Sequence, residues 1–247
     1  DMLKVLTYNI HKGFDRRNRE FVLHEIRQHL RLVDVDIVFL QEIQGRHDHH
    51  ESRILGWPEV SQFEFLADSL WPHYAYGKNA IYSKGHHGNA ILSRHPFEHW
   101  ENINLSRFRR ASRSLLHGVT KLTGSNLRLH LICVHLDLVG FERKRQVNIL
   151  RHYIIDAVAE GEPVILAGDF NDWNGRMGRH LESLLAMQEV FRASHGKYAK
   201  TFPSNWPILK MDRIYFNHLR LLECQCLNGQ PWKQLSDHLP LYAQFAY

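Results

Sequence analysis

The chain has 247 residues, which accommodates one large domain or two small ones. Its 44% hydrophobic and 23% charged residues are ordinary for a globular protein and exclude a disordered or low-complexity chain. A net charge of +5 leans toward anionic partners without requiring nucleic acid, and 19 histidines add positive charge below neutral pH.

Leu3–Ile10 reads as a strand. Phe21, Leu23, Ile26 and Leu30 recur at near-helical spacing and predict a helix over Glu20–Leu32. Val35–Leu40 is a second apolar strand that runs into Gln41-Glu42, and Gln62–Leu70 reads as a helix that stops before Pro72. Asn89–Ser93 is a strand closed by Pro96, and Leu115–Leu122 and Leu127–Leu136 form a hairpin pair around Gly124-Ser125-Asn126. The helix over Phe141–Ala159 carries Val147, Leu150, Ile154 and Val158 on one stripe, and Gly161 ends it. Val164-Ile165-Leu166-Ala167 is short, β-branched at its start and follows Pro163, so it reads as a buried strand. Met177–Val190 is predicted helical, and Met211–Phe216, Leu221–Leu227 and Leu239–Phe245 are predicted strands. Helices and strands mixed without a repeat or linker predict one α/β domain over residues 1–247.

Cysteine usage and the chain start bear on location. Cys133, Cys224 and Cys226 are too few and odd in number for a disulfide framework, and Cys133 reads as a small buried hydrophobe. No apolar run reaches the ~20 residues that span a bilayer, and no signal peptide is visible. A reducing, cytoplasmic setting is the expectation. Asp1 enters a strand almost at once, so a leader removed upstream is compatible with this sequence.

Polar residues collect at the strand ends. Gly168-Asp169-Phe170-Asn171 follows the Val164 run directly, and in extended backbone Asp169 and Asn171 point to one face. The same residue types also make an Asx turn. The other strand ends bear on the choice. Tyr8-Asn9-Ile10-His11 closes the first strand and Gln41-Glu42 the second. His135 lies near the end of Leu127–Leu136, Asp212 opens the Met211 strand, and Ser236-Asp237-His238 precedes the last. Carboxylates with Asn and His, and no Cys among the candidates, suit Mg²⁺ or Mn²⁺ better than a dedicated zinc site. Histidines supply acid, base or electrophile near neutral pH, and Asn donors suit phosphate oxygens. The set fits metal-assisted attack of water on a phosphoester.

These motifs, with Leu40-Gln41-Glu42, Gly88-Asn89-Ala90-Ile91-Leu92-Ser93, Val134-His135-Leu136 and Met211-Asp212-Arg213-Ile214, resemble the endonuclease/exonuclease/phosphatase superfamily in order and over nearly the whole chain. The resemblance implies a four-layer, DNase I-like sandwich: two mixed sheets face to face, with helices outside. It implies a Mg²⁺-dependent phosphoester hydrolase, with Glu42 as the main metal ligand and Asn9 and Asp237 close to the ion or the phosphate. Asp169 would orient or deprotonate the attacking water, and Asn171 would hold a phosphoryl oxygen. Asp212 and His238 look like a carboxylate–imidazole pair, and either Asp169 or His238 is the base. His135 would stand near the leaving oxygen, as in the DNase I and sphingomyelinase branches, where the abasic-site repair branch uses Tyr. His11 replaces an Asp that helps bind metal in the repair enzymes, which thins the expected metal shell. The substrate would be a nucleic acid or a phospholipid or phosphoinositide head group, and the protein a monomer. A non-catalytic phosphate or nucleic-acid binding module on the same fold is the competing reading, and the presence of Asp169, Asp212 and His238 weighs against it.

Several residues carry two readings each. Asn89 touches substrate or ends a turn after Gly88. Arg107, Arg109, Arg110 and Arg113 form a phosphate-facing rim or a solvated loop, with Arg113 the favoured phosphate ligand because it leads into the Leu115 strand. His47-Asp48-His49-His50-Glu51 reads as a solvated loop more than a metal site, because ligands must converge. Trp206 covers the pocket or packs. Arg213 is expected to be structural, and Lys144 and Arg145 to face solvent.

Overall fold

The computed structural model describes all residues except 16, 18–20, 48–60, 69, 83–84, 106–112 and 137–139, with backbone alone at 45–47, 78–82 and 85–87. The proposed loop from His47 to Glu51 and the cations Arg107, Arg109 and Arg110 therefore fall outside the described side chains.

In chain order the elements are β1 (Met2–Asn9), α1 (Leu23–Val33), β2 (Ile37–His47), α2 (Gln62–Ala67), β3 (His73–Tyr82) and β4 (Gly85–Ser93). Then come β5 (Phe97–Asn104), β6 (Ser114–Lys121), β7 (Arg128–His135), α3 (Gly140–Ala157) and β8 (Val164–Asp169). The chain continues through α4 (Arg176–Leu185), β9 (Gln188–Glu189), α5 (Val190–His195), β10 (Asp212–Asn217), β11 (Arg220–Cys226), α6 (Trp232–Leu235) and β12 (Leu241–Ala246).

The strands form two six-stranded sheets, β11-β12-β1-β2-β4-β3 and β5-β6-β7-β8-β10-β9. Each has one parallel pair at its centre, β1 with β2 and β7 with β8, flanked by antiparallel neighbours. Alternation along the strands explains the layers. Val5, Ile37, Phe39 and Ile91 of one sheet meet Leu131, Cys133, Ile165 and Ile214 of the other. The opposite face of the first sheet, with Leu6, Val38 and Leu92, packs on Leu23, Ile26 and Leu30 of α1 and Leu66 of α2. The opposite face of the second, with Ile132, Val134 and Leu166, packs on Val147, Leu150 and Ile154 of α3 and Leu181 of α4. The result is the expected helix–sheet–sheet–helix sandwich, and Cys133 is buried between the sheets as anticipated.

Some elements differ from the sequence reading. The predicted Met177–Val190 helix stops at Leu185: Ala186 adopts φ 51°, its N–H returns to the Glu182 carbonyl, and Gln188–Glu189 form β9 instead. The first helix starts at Leu23 rather than Glu20. β3 and β5 have no counterpart in the apolar pattern. Both lie at sheet edges, and β5 is exposed along most of its length, with Trp100 46% exposed. An edge strand is held by its ladder and needs no apolar run.

Candidate active site

Strand register assembles the polar strand ends. His135 pairs with Asp169 across parallel β7 and β8, and Asp169 pairs with Asp212 across antiparallel β8 and β10. Directly paired residues share a face, so these three form one row across three strands. In the other sheet Asn9 pairs with Gln41 across β1 and β2, which places Glu42 one residue beyond.

Two backbone features fix the row and its surroundings. Gly168 has φ +146°, and a Cβ there would lie 1.9 Å from the Val134 carbonyl oxygen, so β7 and β8 approach too closely for any side chain. On β2 the register against β4 slips between Leu40 and Ile43, so Gln41 and Glu42 together oppose Asn89. Glu42 takes φ 52° in this bulge and Asn171 takes φ 49° just past β8. Left-handed backbone at two non-glycine residues beside one cluster is strain of the kind that functional sites hold.

Asp169 is the hub. Its Oδ2 lies 3.2 Å from Asn9 Nδ2, 3.4 Å from His135 Nε2 and 3.6 Å from His238 Nε2. Its Oδ1 accepts the Asn171 N–H at 3.0 Å. Asn9 Oδ1 accepts the His11 N–H at 3.1 Å, which turns Nδ2 toward Asp169 and, at 3.5 Å, toward His238 Nε2. His238 donates Nδ1–H to Asp212 Oδ2 at 2.8 Å, and the Thr201 hydroxyl donates to the same oxygen. Arg113 is a donor only, and its Nη1 lies 3.3 Å from His135 Nδ1. That contact makes Nδ1 the acceptor and leaves the His135 proton on Nε2, facing Asp169.

The electrostatics follow from burial. Burial raises Asp169 well above the ordinary carboxylate range; His238 opposes the rise, and Asp212 and Glu42 add to it. For His238, burial alone would lower the pKa, but the Asp212 and Asp169 carboxylates outweigh it and the imidazole is raised. A buried carboxylate with a raised pKa beside an imidazole with a raised pKa is a poised acid–base pair.

The sequence-predicted residues thus divide. Asn9, Asp169, Asp212 and His238 form one hydrogen-bonded group; His135 Nε2 lies 3.4 Å from Asp169 as an ion-pair neighbour, with Arg113 attached through His135. Asn171 joins through its backbone N–H, while its Nδ2 donates to the Leu136 carbonyl at 2.6 Å. Asn89 is fully buried with Nδ2 on the Ser114 carbonyl, so the turn-end reading is set aside, and its Oδ1 has no partner. Glu42 is half-buried and Asp237 is at the rim, 3.9 Å from His11 Nε2. Phe202, not Trp206, packs on His238, with ring centroids 4.9 Å apart; Trp206 is 74% exposed, so the packing reading fails for it. Arg145 is only half-exposed, because it bonds to Glu142 and to the Leu105 carbonyl just past β5; Lys144 is exposed as expected.

Thr201 and Asp172 were missed. Asp172 holds the buried Arg213 at 3.1 Å and accepts the N–H groups of Met177 and Gly178, so it caps α4 and fixes the loop after Asn171. This is the structural role expected of Arg213. Asp172 lies next to Asn171, and its place before a helix was the available signal; Thr201 offered none.

The group contains one set of ligand atoms able to hold a cation: those of Asp169, Asp212 and His238 lie within 4.8 Å of one another. Asp212 Oδ2 and His238 Nδ1 are already bound to each other, which disfavours this trio as a metal cage. Glu42 and Asp237 are carboxylates of the same region outside that hydrogen-bonded relay, and an oxygen set of this kind fits a hard divalent cation.

The Endonuclease/Exonuclease/phosphatase family matches residues 6–238. The chain is 44% identical over 243 residues to the uncharacterized protein YbhP of Escherichia coli (strain K12), covering 98% of this chain and 95% of that one. Among solved structures, D. rerio TDP2 complexed with single strand DNA product matches with a TM-score of 0.70 at 18% identity, covering 100% of both chains. The mannosyl-6-phosphatase Bt3783 of Bacteroides thetaiotaomicron VPI-5482 matches with a TM-score of 0.71 at 17% identity, covering 99% of this chain and 100% of that one. At such identities the likeness establishes the fold. Among the described residues, no helix is long and apolar enough to cross a membrane.

Proposed function

This chain belongs to the endonuclease/exonuclease/phosphatase family, and from that premise we propose that it is a divalent-cation-dependent phosphoester hydrolase. The observation that carries the reading is the row His135–Asp169–Asp212 with His238 bridging its two carboxylates. A binding module needs no buried acid–base relay, and this one is complete.

The residues take these roles in the proposal. Glu42 and Asp237 hold Mg²⁺ or Mn²⁺, with Asn9 beside it; when bound, the cation supplies Lewis-acid stabilisation of the phosphoryl oxygens. Asp169, with its raised pKa, accepts the proton of the attacking water. His238 is held by Asp212 with Nε2 toward the reacting centre, where it donates to a phosphoryl oxygen. His135, its Nε2 proton set by Arg113, stands on the other side of Asp169 and stabilises the leaving oxygen. Asn171 supplies the remaining N–H of its Nδ2 to the phosphate, and the fully buried Asn89, with Nδ2 on the Ser114 carbonyl, ties β4 to β6. One structural neighbour is complexed with a single strand DNA product and another is a mannosyl-6-phosphatase, and the phosphoester common to those two chemistries is what the site is proposed to recognise. Three unpaired cysteines support a reducing, cytoplasmic setting.

The test is hydrolysis of bis-p-nitrophenyl phosphate with Mg²⁺ or Mn²⁺. Turnover that disappears with EDTA and with Glu42→Ala is expected. Metal-independent turnover, or an unaffected Glu42→Ala enzyme, contradicts the proposal.

A further inference from the structure

A cavity of about 490 Å³ opens between the start of α4, the end of α5 and the segment leading into β10. Its wall carries Arg176, Arg179, Arg192, Lys197 and Lys210 around Tyr198, and no carboxylate among the described residues. Arg192 pairs with Glu182 at 3.5 Å. The other four cations make no ion pair and no side-chain hydrogen bond among the described residues. A solvated charged face interleaves signs; five like charges around one concavity instead focus a positive potential into it.

The cavity is built on the same segments as the catalytic row. Arg176 opens α4, five residues after Asn171, and Lys210 precedes Asp212 by two residues, at most about 7 Å of chain. Arg213 ties the two segments together. Its Nη2 donates to the carbonyls of Asp172 at 2.6 Å and Lys210 at 3.1 Å, and its guanidinium lies 4.0 Å over the Tyr198 ring. A volume of about 490 Å³ falls in the small-molecule range and exceeds a bare phosphate, leaving room for an attached sugar.

We propose that this cavity is a second phosphate site, which seats another phosphoryl group of the substrate. The proposal rests on the hydrolase reading above. It deepens that reading by selecting substrates with two phosphates in one molecule: a nucleic-acid strand or a sugar bisphosphate. Lys and Arg side chains would hold the second phosphate, Arg in bidentate fashion.

Binding of inorganic pyrophosphate in EDTA, followed by calorimetry at two salt concentrations, tests it without turnover. Three proteins are compared: the full chain, Arg179→Ala/Lys197→Ala, and Lys121→Ala/Arg128→Ala, whose cations pair with Glu98 on β5. Arg179 and Lys197 are exposed, so their removal leaves the core alone. The expected result is binding that weakens with salt, a loss of at least tenfold in the cavity variant, and less than a twofold change in the control. Equal binding by the full chain and the cavity variant, or binding by neither, overturns the proposal. The source of the phosphate follows from kcat/KM for 5′-phosphorylated dithymidylate against dithymidylate, and for glucose 1,6-bisphosphate against glucose 6-phosphate. A tenfold gain in the first pair assigns a nucleic-acid strand, and in the second a sugar bisphosphate. Turnover without a gain in either pair overturns the substrate site. Absence of all turnover with pyrophosphate binding intact overturns the hydrolase reading and keeps the anion site.

Discussion

The Nδ1–H of His238 donates to Asp212 Oδ2 at 2.8 Å, which leaves Nε2 as the ring nitrogen facing Asp169, 3.6 Å away. Thr201 donates to the same Asp212 oxygen, and the pairing of Asp212 with Asp169 in the β8–β10 ladder sets the spacing. The imidazole's tautomer and direction are therefore consequences of strand register.

Asp212→Asn presents an amide where His238 needs a carboxylate. The ring loses both its orientation and the charge that supports its protonated form. A fall in kcat of roughly 10²–10⁴-fold with a small change in KM is expected from steady-state kinetics. A variant within threefold of the parent removes the pair from the mechanism.

Gly168→Ala places a methyl 1.9 Å from the Val134 carbonyl at φ +146°. Neither strand can yield without breaking the ladder that carries His135 and Asp169. A loss of at least about 3 kcal/mol is expected, which in a chain of this size lowers the melting temperature by roughly 6–12 °C. An unchanged melting temperature means that β7 and β8 are farther apart than described.

These two positions show what was legible in the sequence. Asp169, Asp212 and His238 stood out because polar residues at the ends of apolar strands are unusual, and their motifs carry the family resemblance. Strand and helix periodicity predicted a mixed α/β domain, and the family resemblance implied the layer order. β3 and β5 were invisible because edge strands bury little, and Thr201 because a hydroxyl in a loop has no pattern. Glu42 was legible as a candidate ligand but not as a strained bulge residue, since the slip against Asn89 is a property of pairing between β2 and β4. The basic cavity was invisible for a related reason: Arg176, Arg179, Arg192, Lys197 and Lys210 converge only after α4, α5 and the β10 lead-in pack around Tyr198.

His117 lies in a buried hydrogen-bonded chain away from the catalytic row. Its Nδ1 lies 2.7 Å from the Tyr153 hydroxyl on α3 and its Nε2 2.9 Å from His130 Nδ1 on β7; His130 Nε2 reaches Glu162 at 3.1 Å. Burial, followed by the neighbouring His130 and His99, lowers its pKa from 6.5 to about 4, against a smaller opposing effect of Glu101. The folded protein keeps this imidazole neutral where the unfolded chain protonates it. Stability is therefore complete above pH 6.5 and declines as the pH falls toward 4, by up to about 3 kcal/mol for this group. Thermal melts across that window should show a shallower decline for His117→Gln than for the parent; parallel curves contradict the assignment.

Glu42→Ala removes the proposed cation ligand without touching the relay. Calorimetric titration with Mn²⁺ should show affinity reduced at least about tenfold, with the circular dichroism spectrum unchanged. If Glu42→Ala binds as the parent does while His238→Ala does not, the cation belongs to the Asp169–Asp212–His238 trio instead.

The central claim is that Asp169, hub of the row, activates water for attack on a phosphoester. The direct measurement is the single-turnover rate of bis-p-nitrophenyl phosphate hydrolysis at saturating Mn²⁺ for the parent and Asp169→Asn, with melting curves to verify the fold. A rate reduced by at least about 10²-fold in a folded variant is predicted. A folded Asp169→Asn protein that retains most of the parent's rate would contradict the account.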